Sequence, residues 1–352
     1  MLEAAEYTLP GIKEDGGLVN AFVRYTPVAK KTATPWAHTG PQVALFLLHG
    51  VAYHKESWLP TLEHLFEIQN ATPTTAFTIV EAWSMDSPNH GRAAVMNDHL
   101  LQAFPGGVAG TQWARAVNLF LKSGLIAPGT TVAAIGHSAG ACILVQATDG
   151  HPLDRPPFSS LIMVEPPMIT PEMLKRGREE NAPLIRAVDA ARARKDIWPS
   201  RAAAKEWFAK RYPWRRWDPR ALDLYVEYGL RDLPSATYPD KQGVTLATTR
   251  VQEVGGYVHY EDSFAAMERL KVICPAMPVH CIFGSVIDIN PIEAQMDIAN
   301  EKVGRKMRSI VRITGAGHLV VQEAPRNLAV AIWGILHEEY HQSALPAATS
   351  KL

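Results

Sequence analysis

Thr131-Val-Ala-Ala-Ile135-Gly136-His137-Ser138-Ala139-Gly140 runs without a break into Ala141-Cys-Ile-Leu-Val-Gln-Ala147. The first five residues are a continuous apolar run, as expected of a strand buried on both faces, and the last seven suit a helix. Between them stands G-x-S-x-G. In that setting the serine occupies a tight, strained strand-to-helix turn, and only glycine on either side leaves room for it. The hydroxyl of Ser138 is thereby lifted to the carboxyl edge of a sheet. The helix that starts there aims backbone N–H groups, that of Ala139 among them, at the place where an oxyanion forms when the serine attacks a carbonyl.

Outward from this turn the same strand pattern recurs. Val43–Leu48, Phe77–Trp83, Leu161–Val164 and Val279–Phe283 are further apolar runs of strand length, and Ser309–Ile313 is a shorter one. Helical-period segments separate most of them, which predicts a mostly parallel, doubly wound α/β sheet. Tyr7–Tyr25, with Gly16-Gly17 at its middle, reads as a hairpin that extends the sheet antiparallel. From Met168 the strand pattern gives way to Trp- and Arg-rich amphipathic segments. The expected organisation is therefore a core over 1–167, an inserted helical cap over 168–271, the second part of the core over 272–349, and a tail at 350–352.

Composition narrows the function classes. The chain has 352 residues, 47% hydrophobic and 20% charged, enough to bury a large core without metal or disulfides. Lys plus Arg and Asp plus Glu both total 35, so nothing in the overall charge favours nucleic acid or an anionic membrane. Cys142, Cys274 and Cys281 make no C-x-x-C pair and no disulfide framework, pointing to a reducing compartment. Neither a signal peptide nor an apolar run of membrane-spanning length is expected. The chain ends in Ser350-Lys351-Leu352, the tripeptide read by the peroxisomal import receptor, which makes that receptor an expected partner and the peroxisome the expected location. Oligomeric state is left open between monomer and homodimer.

The partners of Ser138 must come from elsewhere in the chain. A base is expected near the C-terminus on a loop after the last strand, and Ile313-Thr-Gly-Ala-Gly-His318 supplies it. Histidine suits the task because its ordinary pKa, about 6.5, lies near neutrality. His49-Gly50-Val51 closes the first central strand, where the second oxyanion donor is expected, so the N–H of Val51 is the candidate. Two carboxylates compete for the acid. Asp288 follows Val279–Phe283 one residue away from the usual position, which Ile287 occupies; Glu165 ends Leu161–Val164. We favour Glu165, with Asp288 as the alternative. Asp86–Arg92 reads as a structural loop that braces the oxyanion side. His337-Glu-Glu-Tyr-His341 satisfies H-E-x-x-H, yet the residues beyond it hold no third ligand, so no metal and no cofactor are expected.

The serine turn, His318, the Asp86–Asn97 loop and the Ser-Lys-Leu ending together resemble fungal peroxisomal α/β-hydrolases of secondary metabolism. That group includes the mycophenolic-acid-type acyl-CoA hydrolases and the hydrolases of host-selective-toxin biosynthesis. The resemblance implies an α/β-hydrolase fold, acyl-CoA thioester hydrolysis, and an acid after the sixth strand, which maps onto Glu165. CoA carries phosphates, and Thr170–Arg220 contains 14 Lys/Arg against 7 Asp/Glu. Arg192, Arg194, Lys195, Arg215 and Arg216 form its visible cluster. Trp198, Trp207, Trp214 and Trp217 either line an acyl pocket or form the core of the cap. A carboxylesterase or lactonase would use the same serine, and a non-catalytic ligand-binding protein of this fold is the reading from a different class.

Overall fold

The computed structural model describes residues 2–28, 40–72, 75–180 and 182–343. The Ser350-Lys351-Leu352 tail lies outside the described residues. Eight strands form the main sheet: β1 (Leu2–Leu9), β2 (Asn20–Pro27), β3 (Gln42–Leu48), β4 (Thr78–Met85), β5 (Thr131–His137), β6 (Ser160–Val164), then β10 (Val279–Gly284) and β11 (Ser309–Ile313). They lie in the order β1-β2-β4-β3-β5-β6-β10-β11. From β4 to β11 all neighbours are parallel, whereas β1 pairs antiparallel with β2 and β2 antiparallel with β4. The N-terminal hairpin thus adds the antiparallel edge expected from its glycine pair.

The helices are α1 (Leu59–Ala71), α2 (Gly91–Met96), α3 (Gly110–Leu121), α4 (Ala139–Ala147), α5 (Pro171–Glu179), α6 (Pro183–Ala193), α7 (Arg201–Ala209), α8 (Pro219–Tyr228), α9 (Arg250–Val258), α10 (Tyr260–Ile273), α11 (Ile292–Ile298), α12 (Val320–Glu323) and α13 (Pro325–Ser343). Both sheet faces are covered, which is why the central strands read as unbroken apolar runs. Along β3, Val43, Leu45 and Leu47 face one layer and Phe46 and Leu48 the other. The first layer is closed by Leu62 and Leu65 of α1 and by Leu328, Ile332, Ile335 and Leu336 of α13, a helical stripe at i, i+4, i+7 and i+8. The second is closed by Phe120 of α3, Leu144 of α4 and Met267 of α10. Each of these fully buried side chains is worth about 1.5–3 kcal/mol of transfer free energy.

The excursion between β6 and β10 departs from the expected helical cap in two ways. It contains a small antiparallel sheet, with β7 (Ile197–Trp198), β8 (Leu230–Asp232) and β9 (Val244–Leu246) in the order β7-β9-β8. Strands of two or three residues are too short to show a period in sequence. Its last helix, α10, belongs with the sheet: Ala266, Met267, Leu270 and Ile273 sit in the core layer shared with α3 and α4. Trp198, Trp207, Trp214 and Trp217 cluster with Phe208 and Tyr225 in a separate core of the excursion.

Candidate active site

The residues singled out in sequence meet at the carboxyl ends of neighbouring parallel strands, where open α/β sheets build their sites. Ser138 follows β5 with φ 53° and ψ −122°, its N–H donating to Val164 O at 2.9 Å. Only two other non-glycine residues among those described have positive φ, Glu165 at 49° after β6 and Ala52 at 73° after β3. Backbone strain is thus concentrated where these strand ends converge. The flanking glycines are sterically required: a Cβ on Gly136 would lie 2.6 Å from Ala141 Cα, and one on Gly140 2.7 Å from the carbonyl oxygens of Leu48 and His49. The serine turn is therefore wedged against the end of β3.

His318 sits on the loop after β11, largely buried. Its Nε2 is 2.9 Å from Ser138 Oγ and its Nδ1 is 3.2 Å from Glu165 Oε2. A carboxylate only accepts, so the Nδ1 proton points at Glu165 and Nε2 is left to take the serine proton. Glu165 is anchored in turn by the Gly284 N–H, which donates to Oε1 at 2.6 Å, and by the Asn290 side-chain amide, which donates to Oε2 at 3.1 Å. The alternative acid does something else. Asp288 Oδ1 accepts the backbone N–H groups of His318 at 2.9 Å and Ile289 at 2.7 Å, so this carboxylate is spent on the main chain of the histidine loop. The structure brings Ser138, His318 and Glu165 together and sets Asp288 behind them.

Val51 and Ala139 flank Ser138, and the backbone N–H of neither donates to any acceptor among the described residues. Gly50 lets the two loops touch, since a Cβ there would stand 3.0 Å from Ser138 Cβ. The turn carrying Val51 is braced from the Asp86–Asn97 loop. The Ala52 N–H donates to His90 Nε2 at 3.0 Å, and His90 Nδ1–H donates to Asn89 Oδ1 at 2.7 Å. Asn89 Nδ2 donates to Gln252 Oε1 on α9 at 3.0 Å. Burial, then the neighbouring His49 and His54, hold the His90 ring well below the usual histidine range, which keeps Nε2 a lone-pair acceptor.

Several participants escaped the sequence reading. His137, the variable residue before the serine, donates from Nε2 to the His318 carbonyl at 2.8 Å. Burial, and secondarily the His318 ring, pull its pKa down to about 3. Asn290 follows β10 in a loop and Gln252 stands in the first turn of α9, both polar residues in ordinary-looking contexts that nothing local marks. The basic cluster is a correction of a different kind. Arg192 pairs with Asp189 at 3.4 Å, Arg216 pairs with Glu323 at 3.4 Å, Arg194 is paired with Glu253, Lys195 lies over the Trp198 ring, and Arg215 is exposed. The run is split among different surroundings: Arg192 lies in α6, Arg194 and Lys195 follow its end outside the helix, and Arg215 and Arg216 sit in a separate short turn at 214–216.

Above Ser138 opens a cavity of about 880 Å³, lined mainly by apolar and aromatic groups that include Trp113, Trp207, Trp214 and Tyr257. That size suits a drug-sized organic molecule. Arg186 and Arg211 are the outlying cations on its wall. The His337 and His341 rings lie 5.6 Å apart, tilted, on α13, and no group of three or more His, Cys, Asp or Glu side chains is placed to hold a metal among the described residues. No described helix is long and apolar enough to cross a membrane.

A serine hydroxyl, an imidazole, a carboxylate and two unpaired amides in this geometry are equipped for acyl transfer. A family model described as "Alpha/beta hydrolase family" matches residues 45–331, from within β3 to within α13. The chain belongs to the alpha/beta hydrolase family. This α/β hydrolase is 27% identical over 246 residues to the "Type I acyl-CoA thioesterase mpaH" of Penicillium roqueforti, covering 68% of this chain and 53% of the relative. It is 27% identical over 203 residues to the corresponding protein of Penicillium brevicompactum, covering 57% of this chain and 43% of the relative. The chain thus spans about half the length of the curated relatives it matches. Among solved structures, the peroxisomal alpha-beta-hydrolase Lpx1 of Saccharomyces cerevisiae superposes with a TM-score of 0.76 at 18% identity, covering 100% of this chain and 92% of the other. A thioesterase domain from the curacin biosynthetic pathway superposes at 0.61 with 15% identity, covering 94% and 99%. At such identities these two likenesses concern the fold.

Proposed function

We propose that this α/β hydrolase is a serine hydrolase that cleaves acyl-CoA thioesters, acting in peroxisomes in fungal secondary metabolism. What supports the reading most is the unbroken hydrogen-bond chain from Ser138 through His318 to Glu165 at the floor of a large apolar cavity. The thioesterase names of the Penicillium relatives support the substrate class, and the Ser350-Lys351-Leu352 tripeptide, an import signal for peroxisomes where it closes a chain, supports the location. In this mechanism His318 Nε2 takes the proton of Ser138 as Oγ attacks the thioester carbonyl, and the N–H groups of Val51 and Ala139 hold the oxyanion. Collapse breaks the C–S bond, the protonated His318 returns its proton to the departing thiolate, and an acyl-serine remains. Water, activated by the same imidazole, then releases the acid. Glu165 keeps the imidazole in the required tautomer, and no cofactor takes part.

Hydrolysis of a free ester or lactone is the second reading, favoured by one observation: Arg192, Arg194 and Arg216 are each already engaged by a carboxylate rather than held ready for phosphate. The deciding assay measures thiol release from a panel of acyl-CoAs beside cleavage of the matching simple esters, with Ser138→Ala as control. Markedly higher kcat/KM on CoA esters is expected; a preference for simple esters would transfer the activity to the second reading.

A further inference from the structure

The mainly apolar lining of the cavity above Ser138 includes a buried ion pair. Arg194, at the end of α6, forms an ion pair with Glu253 of α9, and both side chains are largely buried and border the cavity. A buried ion pair is weak as a stabilising device, because desolvating two charges offsets most of their attraction. This pair is also incomplete: Arg194 Nε is buried with no hydrogen-bond partner. Tyr53 and Tyr257 line the same cavity, and the hydroxyl of neither makes a protein hydrogen bond among the described residues. Burial, reinforced by the neighbouring tyrosines and Glu253, pushes the Tyr53 hydroxyl well above its ordinary range; burial and Glu253 do the same for Tyr257. Both therefore stay protonated donors. Tyr53 reaches from the His137 ring at 6.2 Å to the Tyr225 ring at 6.3 Å, linking the floor of the cavity to the excursion.

We propose that Arg194, Tyr257 and Tyr53 form a specificity site for the acyl group, selecting chains that carry a neutral oxygen function, a hydroxyl or ketone, on the part remote from the scissile carbonyl. Unfilled donors in a mainly apolar wall are satisfied by an oxygen acceptor and left unpaired by a plain hydrocarbon, and that asymmetry discriminates more strongly than added apolar contact does. Glu253 already neutralises Arg194, so a terminal carboxylate placed at this pair gains no net charge attraction from it and meets a like charge. The inference rests on the reading of Ser138 as the acyl-accepting nucleophile, and it extends that reading to the acyl half of the substrate.

The test compares hydroxyalkanoyl, ketoalkanoyl, plain alkanoyl and carboxyalkanoyl chains of equal length, each as the CoA thioester and as the p-nitrophenyl ester. Hydroxy and keto chains should exceed plain and carboxylate-ended ones in kcat/KM on at least one leaving group by about tenfold. Tyr257→Phe removes one oxygen without breaking a protein hydrogen bond, and should erase most of that preference, read as the ratio of kcat/KM on oxygenated over plain chains for the variant against the same ratio for the wild type. Arg194→Lys keeps the charge and should weaken the same preference. A plain or carboxylate-ended chain that is cleaved as well as the oxygenated ones, or a preference that survives Tyr257→Phe, overturns the proposal. If the oxygen preference appears on p-nitrophenyl esters while CoA thioesters resist cleavage, the acyl site stands and the thioesterase reading falls.

Discussion

Exchanging Glu165 for glutamine changes one oxygen into a nitrogen and tests the whole chain of hydrogen bonds behind Ser138. Two arrangements are open to the new side chain. If its oxygen keeps the Gly284 N–H, which donates at 2.6 Å in the wild type, its NH2 faces both the Asn290 amide and the His318 Nδ1–H, donors against donors. The imidazole then escapes by moving its proton to Nε2, which can no longer accept from Ser138; a wrong tautomer of this kind costs about 10⁴-fold in kcat, about 5 kcal/mol. If the amide flips, His318 regains its acceptor but the NH2 confronts the Gly284 N–H in a buried site, at about 1–3 kcal/mol. The loss in kcat should therefore fall between about 10- and 10⁴-fold, with KM little changed. Asp288→Asn is the counterpart. An asparagine oxygen still accepts from the His318 and Ile289 N–H groups, so activity should stay within a fewfold of wild type. Steady-state hydrolysis of one good ester, with both variants checked for folding by near-UV circular dichroism, reads the outcome. A Glu165→Gln enzyme within tenfold of wild type, or an Asp288→Asn enzyme impaired more than Glu165→Gln, refutes the assignment of the carboxylate.

Two further predictions concern stability. Ser138 holds φ 53° and ψ −122°, a conformation that glycine adopts freely, so Ser138→Gly should be more stable than Ser138→Ala by about 1 kcal/mol despite the extra chain entropy of glycine; equal urea midpoints would show that the turn stores no strain. The second is a pH dependence. His49 and His137 are held neutral by burial, with folded pKa values of about 3 for each. Below about 6.5 the unfolded chain protonates both rings and the native state does neither, so stability falls as pH drops from 6.5 toward 3, by about 2 kcal/mol per ring at pH 5. Glu56, lowered to about 2 despite its burial because His54 and Lys55 bond its charged form, adds to the loss at the acid end, whereas Asp86 and Glu253, raised by burial, oppose it. Denaturant unfolding at pH 7 and pH 5 should show the drop; unchanged stability would mean that these rings are protonated or solvated in the native state.

Local sterics made much of this protein legible before any coordinates. A buried parallel strand must be apolar throughout, a serine turn pressed between strand and helix must be glycine-flanked, and a loop that swings an imidazole over it benefits from small residues, so β3, β5, Ser138 and His318 all announce themselves in short windows of sequence. The hairpin of β1 and β2 is legible for the same reason. What short windows do not contain is lateral order. Glu165 faces His318 across 153 residues of chain because β6 lies beside β10 and β10 beside β11, and Asp288, a few residues from the expected position, is turned into a backbone clamp by the same packing. His137, Asn290 and Gln252 have no local mark, since each acts on a group brought to it by another strand or helix. The cations of the excursion, adjacent in sequence, come to different surroundings once the chain leaves α6, and Arg192, Arg194 and Arg216 are claimed by separate carboxylates. Strands of two or three residues and a buried Arg194–Glu253 pair at a cavity wall exist only once the excursion has folded, because their partners lie from 12 residues (Asp232 and Val244) to 59 residues (Arg194 and Glu253) away and only tertiary packing removes the water between them.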